Sequence, residues 1–204
     1  MSKMNLPNKL TMLRLCLVPA IMVFLLLPDS VIPWMVVHAV GFVLFVVTAV
    51  TDMLDGKIAR KYNLVTDFGK FMDPLADKFM VIGAMFVILY RSLSLYSDKL
   101  FSGVFFWAFM IVIFRELAVT SIRLVVSGSS GIVIAANMLG KIKTCTQIAC
   151  VICCIAEPVV YGLLEMETDF LPVSLATAAL MLIFTLWSGI NYIVSYWKYL
   201  DPEK

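Results

Sequence analysis

The sequence predicts an all-α membrane protein with six transmembrane helices. The first observation behind this fold class is composition, because 62% of the 204 residues are hydrophobic and 15% are charged, unlike a soluble globular domain. The second is that the apolar residues form six runs, each long enough to cross the hydrocarbon layer as a helix of about 20 residues. These spans lie near residues 7–27, 34–60, 70–92, 103–126, 135–160 and 171–197.

The organisation of the chain indicates a single domain over residues 1–204. The connections between spans are short, and there is no Gly/Ser/Pro-rich linker, low-complexity tract or obvious repeat. The first run resembles the apolar part of a signal peptide, but Arg14 interrupts it and no small-residue cleavage site follows. We therefore expect it to be retained as span one. The five cysteines and His38 lie in apolar runs, where we expect packing within the helices.

The positions of the cationic residues predict the orientation. Six spans place both termini on one side, and all of the 16 lysines and arginines except Arg91 and Lys99 fall on that side. Lys and Arg collect on the cytoplasmic face of membrane proteins. We expect a multi-pass protein of the cell (inner or plasma) membrane, with both termini and the polar inter-span regions in the cytoplasm. The net charge of +2 gives no reason to expect a nucleic-acid partner.

Four aspartates stand at the connection between spans two and three. Asp52 and Asp55 are three residues apart and Asp73 and Asp77 are four apart, so each pair shares one helix face. Two adjacent helices would bring the four carboxylates together, and their mutual repulsion would need a neutralising partner. Oxygen ligands without Cys or His select Mg²⁺, Mn²⁺ or Ca²⁺. The spacing predicts a site for two divalent cations that clamp a phosphate ester.

The residues around these carboxylates fit the same chemistry. Gly56 and Gly69 would let the backbone approach a bulky ligand, and Arg60 offers a forked donor for phosphate. We expect Pro74 in the first turn of span three, where its missing N–H costs least, with Asp73 beside the start of that helix.

Two other interpretations of the aspartates are weaker. As ordinary interface charges they would be unusual, because carboxylates in membrane helices are expensive and commonly functional. A divalent-cation transporter would use the same carboxylates, but transport needs polar groups along a path across the bilayer. Spans five and six are almost devoid of ionisable groups.

The run from Asp52 to Asp77 matches D-x2-D-G-x2-A-R-x8-G-x3-D-x3-D at every defining position. In this it resembles the CDP-alcohol phosphatidyltransferase family, whose members have six transmembrane helices and transfer a phosphatidyl group from CDP-diacylglycerol to an alcohol. The resemblance implies that two ions, Mg²⁺ or Mn²⁺, are bridged by Asp52 and Asp73. It implies that Asp55 completes one metal site, and that Asp77 ligates the other ion and acts as the catalytic base. The residues that it implies for CDP-diacylglycerol are Asn8, Thr11, Gly56, Arg60, Thr66 and Gly69.

Two further segments, residues 5–14 and 115–147, resemble the branch of the family whose acceptor is glycerol 3-phosphate. Cations at the cytoplasmic ends of spans four and five would bind a phosphomonoester, with Glu116 pairing with one of them. Positive-inside topology alone would also explain these cations, and inositol phosphate, serine or phosphatidylglycerol stay alternative acceptors. The resemblance also implies a homodimer. The residues predicted for the acceptor phosphate are Arg115, Arg123, Lys141 and Lys143.

Overall fold

Six helices make up the fold seen in a computed structural model, which describes residues 5–62, 66–95, 99–130, 138–166, 168 and 170–197. No strand occurs in these residues, so the all-α fold class is confirmed. In chain order the helices are α1 (Leu6–Leu25), α2 (Trp34–Lys61), α3 (Asp67–Leu95), α4 (Lys99–Ser130), α5 (Met138–Leu163) and α6 (Pro172–Tyr196).

Within the described residues, four of the helices have segments long and apolar enough to cross a membrane. These segments are Pro7–Leu25, Trp34–Leu54, Met138–Leu163 and Pro172–Tyr196. The helices α3 and α4, with 29 and 32 residues, exceed the roughly 20 residues that a crossing requires. Crossing by α3 and α4 stays a prediction, whereas the other four spans match the sequence-based expectation.

The start of α3 differs from the expectation. The helix begins at Asp67, so Pro74 lies inside it and the prediction of Pro74 in the first turn was wrong. The reason is the cap: the hydroxyl of Thr66 accepts a hydrogen bond of 3.0 Å from the backbone N–H of Gly69. A threonine that satisfies the third N–H of a helix is a standard N-terminal cap. Gly69 and Asp73 consequently both belong to α3.

The helices pack as a bundle in which α1 lies against α2 and α3, α2 against α5, α3 against α4 and α5, and α6 against α4 and α5. Large side chains such as Phe105, Met85 and Met181 are fully buried between them. Others on the outside, such as Phe114 and Leu124 of α4, are 73% and 70% exposed. An exposed apolar face of this kind suits lipid, which has no hydrogen bonds to lose.

Two charged side chains fix the outer end of the bundle, which we define as the end that holds the α1–α2 and α5–α6 connections. Arg91 of α3 donates hydrogen bonds of 2.7 and 2.8 Å to the carbonyl oxygens of Leu25 and Leu27, where α1 ends. Glu157 of α5 accepts hydrogen bonds from the N–H groups of Val173 and Ser174 at 2.9 and 2.6 Å. A cation at a helix C-terminus and an anion at an N-terminus both complement the helix dipole. The predicted site lies at the other end.

Candidate active site

Asp52 of α2 and Asp77 of α3 meet at one arginine of α1. The Nη1 atom of Arg14 contacts Oδ1 of Asp52 and lies 3.4 Å from Oδ1 of Asp77. The arginine side chain is 2% exposed, whereas the two carboxylates are 28% and 51% exposed. The guanidinium therefore lies beneath the carboxylates, and the carboxylates face the opening. As the helical spacing predicted, α2 and α3 bring their acids together.

Asp73 joins the same group through α1. The Thr11 hydroxyl, which is buried, donates a hydrogen bond of 2.7 Å to Oδ1 of Asp73. Thr11 and Arg14 are three residues apart and so lie on one face of α1. That face therefore contacts three carboxylates, those of Asp52, Asp73 and Asp77.

A second contact closes α1 over the beginning of α3. The Nδ2 atom of Asn8 donates a hydrogen bond of 2.9 Å to Oγ1 of Thr66, which also caps α3 at Gly69. A Cβ atom on Gly69 would lie 3.1 Å from Oδ1 of Asn8 and 3.3 Å from Oγ1 of Thr66. Asn8, Thr66 and Gly69, all predicted for CDP-diacylglycerol, thus lie together, and glycine is needed at this close approach.

The other predicted donor residues are on α2. Gly56 is partly exposed and lies one turn beyond Asp52. The side chains of Asp55 and Arg60 fall outside the described part of the structure, so their predicted roles stay predictions.

The charges near Arg14 fit a divalent cation. Asp52, Asp73 and Asp77 carry three negative charges against the one charge of Arg14. Oxygen-only ligands match Mg²⁺ or Mn²⁺. Among the described side chains, no three acidic, histidine or cysteine residues form a group that could enclose a metal ion, and the fourth predicted ligand, Asp55, is not among them. The donor chemistry thus fits the predicted metals.

A cationic cluster occupies the neighbouring part of the same end. Glu116 of α4 accepts a hydrogen bond of 3.2 Å from Nη1 of Arg115 and a second one from Nζ of Lys143 on α5. All three residues are buried. The expectation that Glu116 pairs with one cation is confirmed, and the glutamate in fact binds two. This arrangement holds α4 against α5.

The remaining predicted acceptor residues lie apart from this cluster. Arg123, two helical turns beyond Arg115, donates to the hydroxyl of Tyr192 on α6. Lys141 is exposed, and it makes no ion pair within the described part of the chain. Residues two apart on a helix point in nearly opposite directions, so Lys143 faces the bundle and Lys141 faces away. The structure does not bring Lys141 to the other three cations.

Lys78 connects the two halves of the site. It follows Asp77 on α3, and its Nζ atom donates a hydrogen bond to Oγ1 of Thr120 on α4. The Thr120 hydroxyl in turn donates a hydrogen bond of 2.7 Å to the carbonyl oxygen of Glu116. The carboxylate group of α1–α3 and the cationic cluster of α4–α5 are therefore neighbours.

Several of these contact residues were not predicted as site residues from the sequence. Polar residues at helical spacing inside apolar spans were the available signal: Thr11 and Arg14 in span one are three apart, and Ser188 and Tyr192 in span six are four apart. Periodicity alone does not say which neighbouring helix such a face meets.

Comparison with known proteins agrees with this arrangement. The chain is 40% identical to the CDP-diacylglycerol--glycerol-3-phosphate 3-phosphatidyltransferase of Bacillus subtilis (strain 168), with 98% of each chain covered. It is 30% identical to a probable phosphatidylglycerophosphate synthase of Mycobacterium tuberculosis, over 93% of this chain and 80% of the relative. It is 29% identical to a protein of Salmonella choleraesuis with the same name as the Bacillus relative, over 93% of each. Because the family model described as CDP-alcohol phosphatidyltransferase matches residues 4–197, the chain belongs to the CDP-alcohol phosphatidyltransferase family.

Proposed function

We propose that this protein transfers the phosphatidyl group of CDP-diacylglycerol to glycerol 3-phosphate, giving phosphatidylglycerophosphate and CMP. The observation that carries the proposal is the adjacency of a carboxylate group and a buried cationic cluster, linked through Lys78 and Thr120. The full-length similarity to a relative named for this reaction supports it.

The donor half of the site consists of the carboxylates and the α1 residues beneath them. Two divalent cations, Mg²⁺ or Mn²⁺, would be held by Asp52, Asp55, Asp73 and Asp77, and when bound they would supply positive charge for the donor pyrophosphate. Arg14 and Thr11 keep three of these carboxylates in place from below. Asn8, Thr66 and Gly69 would contact the CDP part where α1 closes over α3.

Asp77 is the proposed general base. Its carboxylate is 51% exposed, the more open of the two that contact Arg14. The residue that follows it, Lys78, reaches α4, where the acceptor cluster begins. A base in this position is suited to take the proton of the acceptor hydroxyl as that oxygen attacks phosphorus.

The acceptor half carries surplus positive charge. Glu116 neutralises one of the two charges of Arg115 and Lys143, which leaves a net charge of +1 in the cluster, and Arg123 adds a further +1. A phosphomonoester carries about −1.5 to −2 at neutral pH. An acceptor with a terminal phosphate, such as glycerol 3-phosphate, therefore balances this half, whereas serine or phosphatidylglycerol would bring less charge to it.

We also propose that the site lies at the cytoplasmic face of the cell membrane, with both termini on that side, and that the protein is a homodimer. The distribution of Lys and Arg supports the orientation. Family resemblance supports the dimer.

An acceptor screen tests the proposed reaction. Purified protein with CDP-diacylglycerol and Mg²⁺ or Mn²⁺ is supplied in turn with glycerol 3-phosphate, inositol phosphate, serine, phosphatidylglycerol and glycerol, and CMP release is followed. Glycerol 3-phosphate should give the dominant rate, and glycerol, which lacks the phosphate, should be poor. A dominant rate with any other acceptor would contradict the assignment.

A further inference from the structure

Helix α6 supplies two buried hydroxyl groups to the arginines of α4. The Oγ atom of Ser188 accepts a hydrogen bond of 2.6 Å from Nη2 of Arg115. The hydroxyl oxygen of Tyr192 accepts from both Nε and Nη2 of Arg123, at 3.1 and 2.7 Å. Ser188 is 0% exposed and Tyr192 is 2% exposed, so these contacts are made inside the bundle. Each hydroxyl is four residues from the other, on one face of α6.

Gly189 completes this face. A Cβ atom at Gly189 would lie 3.2 Å from Cγ of Arg115, so the arginine stem runs close to the α6 backbone. A side chain there would push the stem away from Ser188. We call Ser188, Gly189 and Tyr192 together the α6 cradle.

The chemistry of the cradle differs from that of Glu116. Glu116 carries a negative charge and therefore offsets the charge of the cations that it binds. Neutral hydroxyl groups fix the direction of a guanidinium and leave its full charge for a ligand. Arginine has five N–H donors in a rigid fork, and Tyr192 engages two of those on Arg123.

We infer that Ser188 and Tyr192 are positioning residues that hold Arg115 and Arg123 in the orientation that binds the acceptor phosphate. The inference rests on the proposed function, because it takes these arginines as acceptor ligands. It adds α6 to the determinants of acceptor affinity. A hydroxyl group that aims a cation lowers the ordering cost of binding, which is the usual benefit of preorganisation.

Removal of each hydroxyl group tests the inference. Tyr192→Phe and Ser188→Ala should each raise the KM for glycerol 3-phosphate about tenfold, the order expected when a hydrogen bond to a charged group is lost. The kcat and the KM for CDP-diacylglycerol should stay within about twofold of the wild-type values. Tyr161→Phe and Ser102→Ala are matched controls, because they remove hydroxyl groups near the outer end and should leave both KM values unchanged.

A double-mutant cycle separates positioning from a general effect on the fold. If Tyr192 acts through Arg123, Tyr192→Phe should add little to the KM increase caused by Arg123→Gln. Independent, additive losses would overturn the positioning role. So would parallel increases in both substrate KM values together with a lower unfolding temperature, since these indicate a damaged bundle.

The arginine variants distinguish failure of the inference from failure of the proposed function. If Arg115→Gln and Arg123→Gln raise the KM for glycerol 3-phosphate but the hydroxyl variants do not, the acceptor site stands and the inference about α6 is wrong. If the arginine variants leave this KM unchanged, the acceptor site itself is misplaced and both fail.

Discussion

The hydroxyl of Thr11 donates a hydrogen bond of 2.7 Å to the carboxylate of Asp73 and so joins the first helix to the third. Thr11 is 1% exposed, and the chain between the two residues includes all of α2. This contact makes α1 a supporting element of the carboxylate group.

Loss of the Thr11 hydroxyl should impair the enzyme without unfolding it. Thr11→Val keeps the shape of the side chain but removes a hydrogen bond to a charged group, so kcat/KM should fall about tenfold. Thr11→Ser, which keeps the hydroxyl, should retain most activity. CMP release measures both variants, and wild-type kinetics in Thr11→Val would show that Asp73 does not depend on this bond.

Replacement of Asp52 tests the proposed metal site. Asp52→Asn keeps an oxygen that Arg14 can contact but removes a charge from the carboxylate group, so Mn²⁺ affinity should fall roughly tenfold to 100-fold and turnover should nearly cease. Calorimetry measures Mn²⁺ binding directly, without reliance on activity. Asp29→Asn is the matched control, because Asp29 lies near Arg91 at the outer end.

Removal of metal from the wild-type enzyme gives the complementary result. Chelation should stop CMP release, and readdition of Mg²⁺ or Mn²⁺ should restore it. Full turnover in excess chelator, or unchanged Mn²⁺ binding by Asp52→Asn, would refute the proposed site.

A methyl group at Gly69 should disturb the contact between α1 and α3. In Gly69→Ala the new Cβ would lie 3.1 Å from Oδ1 of Asn8 and 3.3 Å from Oγ1 of Thr66, so the Asn8–Thr66 pair must shift. We expect a KM for CDP-diacylglycerol about fivefold to tenfold higher, the order expected when a hydrogen bond of about 1 kcal/mol is lost.

Gly103→Ala is the control for this prediction. A Cβ atom at Gly103 would meet nothing within 4 Å, and alanine favours a helix over glycine, so this variant should keep both KM values. If Gly69→Ala kept the wild-type KM for CDP-diacylglycerol, the close approach at Gly69 would have no role in donor binding.

Glu157 should contribute to stability rather than to catalysis. Its carboxylate accepts four hydrogen bonds, from the N–H groups of Val173 and Ser174 and from the hydroxyls of Ser174 and Tyr161. Glu157→Ala should lower the free energy of unfolding by about 2–3 kcal/mol, and Glu157→Gln should fall between. Thermal unfolding in detergent measures the change. An unchanged midpoint in Glu157→Ala would mean that α6 does not depend on this cap.

The orientation is testable by cysteine labelling in intact cells. Lys141→Cys and Met166→Cys place thiols at exposed positions near opposite ends of α5, and the unmodified parent gives the background from its own cysteines. A membrane-impermeant maleimide should label Cys at position 166 directly and at position 141 only after permeabilisation. The reverse pattern would place the candidate active site outside the cytoplasm.

The sequence by itself determined the class of the fold and the acidic half of the site. Apolar runs of membrane-spanning length must satisfy their backbone hydrogen bonds internally, and a helix does so within one segment. The three- and four-residue spacing of the aspartates likewise follows from local helix geometry, so that Asp52 and Asp77 were expected to converge, as they do around Arg14.

Only the tertiary structure decided which faces meet. The rotation of each helix in the bundle turns Lys143 towards Glu116 and Lys141 outward. The pairing of α4 with α6 brings Arg115 to Ser188, although 73 positions separate them in the chain. These outcomes depend on side-chain packing between helices that are distant in sequence, whereas hydrophobic periodicity records only which residues share a helix face.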